Sequence, residues 1–117
     1  MGNTSSSQSY DTQSNLAKKL AQKRPLLIAF LQPSCGLCKS LEPQLAQTEA
    51  SGVQVARLDS SNAVAWAPEM LAYNIEAVPC FVLLDHQGRA LGKSDLPRNT
   101  LQMQHALTTL LSKSYTS

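Results

Sequence analysis

A chain of 117 residues has room for one hydrophobic core but not two, and 43% hydrophobic with 15% charged residues is the composition of an ordinary globular domain. A formal net charge of +2, scattered along the chain, excludes the concentrated basic face that a nucleic-acid binder needs. Three cysteines do not make a disulfide-stapled scaffold, and no apolar run reaches the length of a signal-peptide core or a membrane span.

Residues 1–14 are rich in Ser, Thr, Gln and Asn without an apolar period, and read as a disordered leader or linker; a domain over 15–113 and a tail over 114–117 follow. From Asn15 the pattern is helical, with Leu16, Leu20 and Ala21 on one face, Lys18, Lys19, Lys23 and Arg24 around the rest, and Pro25 as the stop. Leu26 to Leu31 is a continuous apolar run, the mark of a central strand covered on both faces. Leu37, Leu41 and Leu45 then recur at i, i+4 and i+8 in a helix running to Thr48, in which Pro43 removes an amide donor and predicts a kink. Ser51-Gly52 stops that helix and Val53 to Asp59 alternates as a strand, completing a right-handed parallel βαβ unit. Asn62 caps a short turn through Trp66, and Pro68 is placed at the first position of a helix over Glu69 to Asn74. Ile75 to Pro79 connects to the apolar strand Cys80 to Leu84. Asp85-His86-Gln87-Gly88 turns the chain, and Arg89 to Gly92 returns as an edge strand. Pro97 opens a last helix whose Met103, Ala106, Leu107, Leu110 and Leu111 form a stripe that reads as core.

The chemistry concentrates at Pro33-Ser34-Cys35-Gly36-Leu37-Cys38-Lys39, where the first strand meets its crossover helix. Two cysteines separated by two residues at such a junction form a dithiol set for exchange. The first thiol sits at a helix N-terminus, where unpaired N–H groups and the macrodipole favour a negative sulfur. The second lies one turn in, within reach of a disulfide formed on the first. The same spacing is half of a zinc site, but zinc takes four ligands and the chain offers only Cys80, His86 and His105 besides. A purely structural bridge across Gly36-Leu37 closes so small a loop that it removes little unfolded-state entropy. No phosphate loop, nucleotide fingerprint or Ser/His/Asp set occurs. The expectation is thiol–disulfide chemistry, with Cys35 as nucleophile, Cys38 as resolving sulfur, no metal, and no cofactor beyond the redox-active disulfide.

This order of elements, with C-x-x-C opening the crossover helix, resembles the thioredoxin fold, an α/β fold with a mixed central sheet flanked by helices, over about Asn15 to Lys113. Cys35-Gly36-Leu37-Cys38-Lys39 is similar to that family's redox motif, Pro43 to its helix-kinking proline, Val78-Pro79 to its cis-proline facing the dithiol, and Gly88 to its last turn. The resemblance implies that Ser34, Gly36, Leu37, Val78 and Pro79 contact substrate. It also implies a monomer whose partners are protein disulfides and an upstream dithiol donor, and no nucleic acid. Leu58-Asp59, Trp66, Tyr73, Ile75 to Pro79, Phe81, Leu84-Asp85, Gly88 and Leu96-Pro97-Arg98 resemble more narrowly the membrane-anchored thioredoxin-like proteins of cyanobacteria and chloroplast thylakoids. That implies a domain facing the lumen or periplasm, with membrane contact only through an anchor that the Ser-rich leader replaces or follows; the cytoplasm is the alternative.

The departures from the family pattern bear on direction and partners. Ser34 stands where a tryptophan is usual, Leu37 replaces the proline between the cysteines, and Ala29 replaces a buried strand carboxylate that relays a proton for the second cysteine. Lys39, Arg57 and Cys80 are candidate modulators. Lys39 reads as a solvated charge adding positive potential. Arg57 stands where the family has a lysine near the lost carboxylate and, if it points inward, no longer has that partner and adds positive potential. Cys80 reads as a small buried hydrophobe, or else as a third redox thiol beside Pro79. Leu37, Ala29 and Arg57 together predict a centre less reducing than thioredoxin's own reference value of about −270 mV, at roughly −240 to −190 mV. A second function stays open, a thioredoxin-shaped module whose groove around Pro79 holds a partner.

Overall fold

The computed structural model describes residues 10–94, 96 and 99–115. Its organising element is β1 (Leu26–Leu31), buried at every position. Around it, among the described residues, stands a sheet of order β2-β1-β3-β4, built with β2 (Gln54–Asp59), β3 (Cys80–Leu84) and β4 (Ala90–Lys93). β2 runs parallel to β1, while β3 pairs with β1, and β4 with β3, antiparallel. The continuous apolar run of β1 follows from this place, because a strand with a neighbour on each side and helices on both faces has no polar position to offer.

Side chains alternate across the sheet with period two, and the two faces make two separate cores. On one face Leu27, Ala29, Leu31, Val55, Phe81 and Leu83 pack under α2 (Gly36–Ser40), α3 (Glu42–Ala50) and α5 (Thr100–Leu111) through Cys38, Leu41, Leu45, Met103, Leu107 and Leu110. On the other, Leu26, Ile28, Phe30, Ala56, Leu58, Cys80, Val82 and Leu84 pack with Leu16 of α1 (Gln13–Ala21) and Trp66 of α4 (Ala63–Ala72). Each buried Leu, Ile, Val, Phe or Met among them contributes about 1.5–3 kcal/mol by leaving water, against the entropy of ordering it.

Pro43 breaks the crossover helix as expected: α2 ends at Ser40, Leu41 serves as C-cap of α2 and N-cap of α3, and the new helix starts at Glu42. Gly88 has φ +83°, the left-handed conformation the hairpin needs, and Asp85 Oδ1 accepts from the Gln87 and Arg89 amides at 2.8 and 2.9 Å to hold the turn. Gly92 lets β4 come close under α5, since a Cβ there would lie 2.9 Å from Leu110 Cδ1.

Several boundaries differ from the sequence expectation. Residues 10–14, read as the end of the leader, are tied to the domain: Thr12 caps α1 reciprocally with Asn15, and the Asp11 amide and carboxylate bond the Arg57 carbonyl and amide, each at 2.8 Å. These two bonds pair the open edge of β2 at Arg57. α1 ends at Ala21, before Pro25, and buries Leu16, while Leu20 is 41% exposed. Pro68 does not start a helix but lies inside α4, which runs unbroken from its Asn62 cap. An interior proline costs about 3 kcal/mol. Here the carbonyl it frees is that of Val64, a residue 96% exposed, where solvent reaches it, while the same helix buries Trp66. α5 is capped by Asn99; Pro97 and Arg98, like residues 1–9 and 116–117, lie outside the described residues. Ser114 and Tyr115, assigned to the tail, belong to a 3-10 turn over Ser112–Tyr115. No helix among the described residues is long and apolar enough to cross a membrane.

Candidate active site

β1 delivers the chain to the dithiol and α2 positions it. Cys35 is the N-cap of α2, and its sulfur accepts the Cys38 backbone N–H at 3.0 Å. Cys35 and Cys38 are joined as a disulfide with Cα atoms 5.2 Å apart. The two sulfurs are inequivalent. Cys35 is half-buried at the rim, whereas Cys38 is 3% exposed in the α2/α3/α5 core. A backbone N–H aimed at a sulfur is the kind of donor that favours a thiolate.

The other sequence-predicted residues divide. Ser34 and Gly36 are exposed beside Cys35, and Leu37 is half-buried against the core that holds Cys38. The Val78–Pro79 peptide bond is cis, as expected. Val78 packs against both cores, and among the described residues its backbone N–H and C=O make no hydrogen bond. Lys39 is an exposed helix residue. His86 in the turn and His105 on α5 are exposed. No group of three or more His, Cys, Asp or Glu is gathered as a metal site requires, among the described residues.

Cys80 lies on the far side of the sheet. Its side chain packs in the α1/α4 core, whereas Cys38 packs in the α2/α3/α5 core, as strand alternation dictates for a residue opposite Phe30. Cys80 is 5% exposed and in long contact with Ser94, whose Oγ lies 3.8 Å from its sulfur. Burial pushes its thiol above the ordinary value, outweighing Ser94, Lys93 and the Phe81 amide. The structure therefore supports the inert, hydrophobic reading of Cys80.

Arg57 corrects the sequence reading most. It is not without a partner: Nε and Nη2 lie 2.8 and 2.6 Å from Glu42 Oε1, and Nη1 and Nη2 each lie 3.1 Å from an oxygen of Glu49. Burial works against its charge, but the hydrogen bonds it donates to Glu49 and Glu42 prevail and hold its pKa above the ordinary value. One guanidinium thus serves two carboxylates, and the cluster brings no net positive potential to the dithiol. Beside it opens a cavity of about 240 Å³ lined by Tyr10, Gln32, Pro33, Cys38, Glu42 and Arg57, among others. Burial, then the charges of Asp59 and Glu42, raise the Tyr10 phenol, so it stays neutral near pH 7.

Glu42 and Tyr10 are the site residues that sequence did not single out. Glu42 follows Cys38 by four positions, the spacing of one helix face, and that was its available signal. Tyr10 carried none, because it lies in a polar segment without periodicity.

Comparison with known proteins agrees with this geometry. A family model described as Thioredoxin matches residues 7–109. A Synechocystis protein described as Thiol:disulfide interchange protein TxlA homolog is 35% identical over 82 residues, covering 68% of this chain and 45% of that protein. Thiol:disulfide interchange protein TxlA of Synechococcus elongatus is 33% identical over 87 residues, covering 70% and 45%. The chain therefore spans less than half the length of these curated relatives. Thioredoxin of Fasciola hepatica superposes with a TM-score of 0.61 at 21% identity, covering 85% of this chain and 94% of that one. Thioredoxin Deadhead of Drosophila does so with 0.65 at 21% identity, covering 87% and 97%. At that identity the structures speak to the fold alone.

Proposed function

The chain belongs to the thioredoxin family, and from that membership we propose that it works as a thiol–disulfide oxidoreductase, a disulfide reductase or electron carrier acting on protein disulfides. The observation that carries the reading is the asymmetry of the Cys35–Cys38 pair. One sulfur is at the rim and receives an amide; the other is buried behind it within disulfide reach.

Each step balances. The Cys35 thiolate attacks one sulfur of a substrate disulfide, forming a mixed disulfide and releasing the other substrate sulfur as a thiolate that takes a proton from solvent. Cys38, deprotonated, then attacks the Cys35 sulfur. The Cys35–Cys38 bond forms, the mixed disulfide breaks, and the second substrate sulfur leaves. Two electrons pass from the cysteine pair to the substrate, and an upstream dithiol donor returns them. Val78 supports substrate pairing, because its free backbone groups match those of an extended chain laid beside Pro79. Ser34, Gly36 and Leu37 form the opposite wall in this reading, and a monomer suffices for it.

Reduction of insulin by dithiothreitol tests the proposal. Catalytic amounts of the protein should shorten the time to turbidity, and Cys35→Ser should abolish the effect. No acceleration by the wild-type chain would overturn the reductase reading.

A further inference from the structure

Resolution of a mixed disulfide requires Cys38 to lose a proton, and Cys38 is 3% exposed in an apolar core. Its strand neighbour on the same face, Ala29, is fully buried and offers no acceptor. The cavity at Cys38 contains one carboxylate, that of Glu42, whose side chain is 12% exposed. Arg57 holds the Glu42 Oε1 from Nε and Nη2, and among the described residues Oε2 has no hydrogen-bond partner. The cavity is polar on that wall and far larger than the space of one water molecule, so a hydrogen-bonded water can link the thiol to the carboxylate.

We propose that Glu42, fixed by Arg57, is the proton acceptor for Cys38 across this cavity, a helix-borne carboxylate in place of the strand carboxylate missing at Ala29. The inference rests on the redox role of the Cys35–Cys38 pair. The proton leaves the Cys38 sulfur through water to Glu42 Oε2, the Cys38 thiolate attacks Cys35, and Glu42 later returns the proton to solvent. Glu42 acts through water, so it is a positioning residue and not one that touches the reacting sulfurs. The remaining groups facing this space do not serve as well. Arg57 and Lys39 are cations, Gln32 is neutral, and Tyr10 is a phenol raised by burial, Asp59 and Glu42. Glu49 is engaged on the far side of Arg57 and does not line the cavity. Asp11 is tied to Lys19 at 2.8 Å and to the Arg57 amide.

A role as mere charge and a role as acceptor predict opposite results for Glu42→Gln. Loss of a negative neighbour lowers the Cys38 pKa, which by itself speeds resolution near neutral pH. Loss of the acceptor slows it. The experiment mixes reduced protein with a chromogenic aryl disulfide in stopped flow. The first equivalent of aryl thiolate reports attack by Cys35, and the second reports resolution by Cys38. The ratio of second to first rate is followed from pH 5.5 to 9.5. In Glu42→Gln this ratio should fall about tenfold near pH 6 and recover above about pH 9, where hydroxide takes the proton. Glu42→Asp should restore most of the wild-type profile, and Glu49→Gln should keep it within about twofold. If Glu42→Gln does not fold, Glu42→Leu with Arg57→Met removes the pair together, avoids an unpaired buried charge, and carries the same expectation. A ratio unchanged or raised in these variants, with the first phase intact, overturns the relay alone. Absence of the first phase in the wild-type protein overturns the redox reading and the relay with it.

Discussion

Arg57 on β2 reaches Glu42 at the start of α3, with Nε 2.8 Å and Nη2 2.6 Å from the same carboxylate oxygen, and it is 7% exposed. The contact ties the crossover helix, just beyond its proline break, to the strand that the crossover leads into. Removing one partner of such a pair strands the other. Arg57→Met should therefore destabilise the fold by about 2–4 kcal/mol, below the full value for a buried pair because Glu49 is half-exposed. Arg57→Lys should recover only part of the loss, because an ammonium cannot bridge two carboxylates as the planar guanidinium does. Urea denaturation of the two variants at pH 7 measures this; equal stability of Arg57→Met and wild type would show the cluster to be ornamental.

The unequal burial of Cys35 and Cys38 sets the behaviour of their variants. Cys35→Ser should lose all thiol exchange, since the buried Cys38 sulfur does not meet a protein disulfide. Cys38→Ser should still be attacked or attack through Cys35, then stall as a mixed disulfide with its partner. Non-reducing gels and mass spectrometry of both variants after incubation with a protein disulfide read the difference. Equal trapping by the two would remove the assigned order.

Cys80 should behave as core. In the reduced native protein, iodoacetamide at pH 8 should modify Cys35 at least about tenfold faster than Cys80, because only thiolate reacts and burial disfavours the Cys80 thiolate. Cys80→Ala should leave the Cys35–Cys38 potential in place. Peptide mapping of the alkylated protein decides the matter, and fast labelling of Cys80 would bring back the third-thiol reading.

Periodicity carried much of the fold. The run Leu26 to Leu31, the i, i+4, i+8 leucines after Cys35 and the turn at Gly88 all name their places, because each reflects a local rule acting alone. Pro68 was misread for the same reason: the local rule favours a helix start, and the burial of Trp66 across the sheet outweighs it. Tyr10 to Ser14 were assigned to the leader because what orders them lies elsewhere in the chain, at the free edge of β2. At the site, the spacing of Cys35 and Cys38 gave the chemistry, but the partners of Arg57 stand on another element. Against the family pattern Arg57 lacks its strand carboxylate, whereas two carboxylates reach it from α3.

Acid stability should depend on Asp85. The Arg89 amide above all, helped by the Gln87 amide and the Arg89 charge and opposed by burial, holds its carboxyl below the ordinary value. The unfolded chain then takes up that proton at higher pH than the folded one does. The stabilisation is complete above the ordinary carboxylate range of about pH 4 and is lost as pH falls through the folded value below it. Urea midpoints of wild type and Asp85→Asn between pH 7 and pH 2.5 should converge toward the acid end. A constant gap across that range would assign the role of Asp85 to shape alone.

The redox potential should lie nearer thioredoxin's than the sequence suggests. Three substitutions pointed to a less reducing centre, but one of them, Arg57, carries no unbalanced charge once Glu42 and Glu49 are counted. A second, Ala29, removes a buried carboxylate whose place on the same side of Cys38 is partly taken by Glu42 across the cavity. A negative group there opposes the thiolate and so favours the disulfide, which makes the couple more reducing. Leu37 is left as the uncompensated change, since it does not stiffen the turn as proline does. These terms place the potential at roughly −260 to −230 mV, against about −270 mV for thioredoxin itself. Glu42→Gln removes the opposing charge and frees part of the Arg57 charge, both of which stabilise the thiolate. It should raise the potential by about 15–30 mV, where 30 mV corresponds to about 1.4 kcal/mol for this two-electron couple. Equilibration with glutathione at defined ratios measures both proteins. A Glu42→Gln potential equal to or below the wild-type value would show that the carboxylate is not felt at the sulfurs.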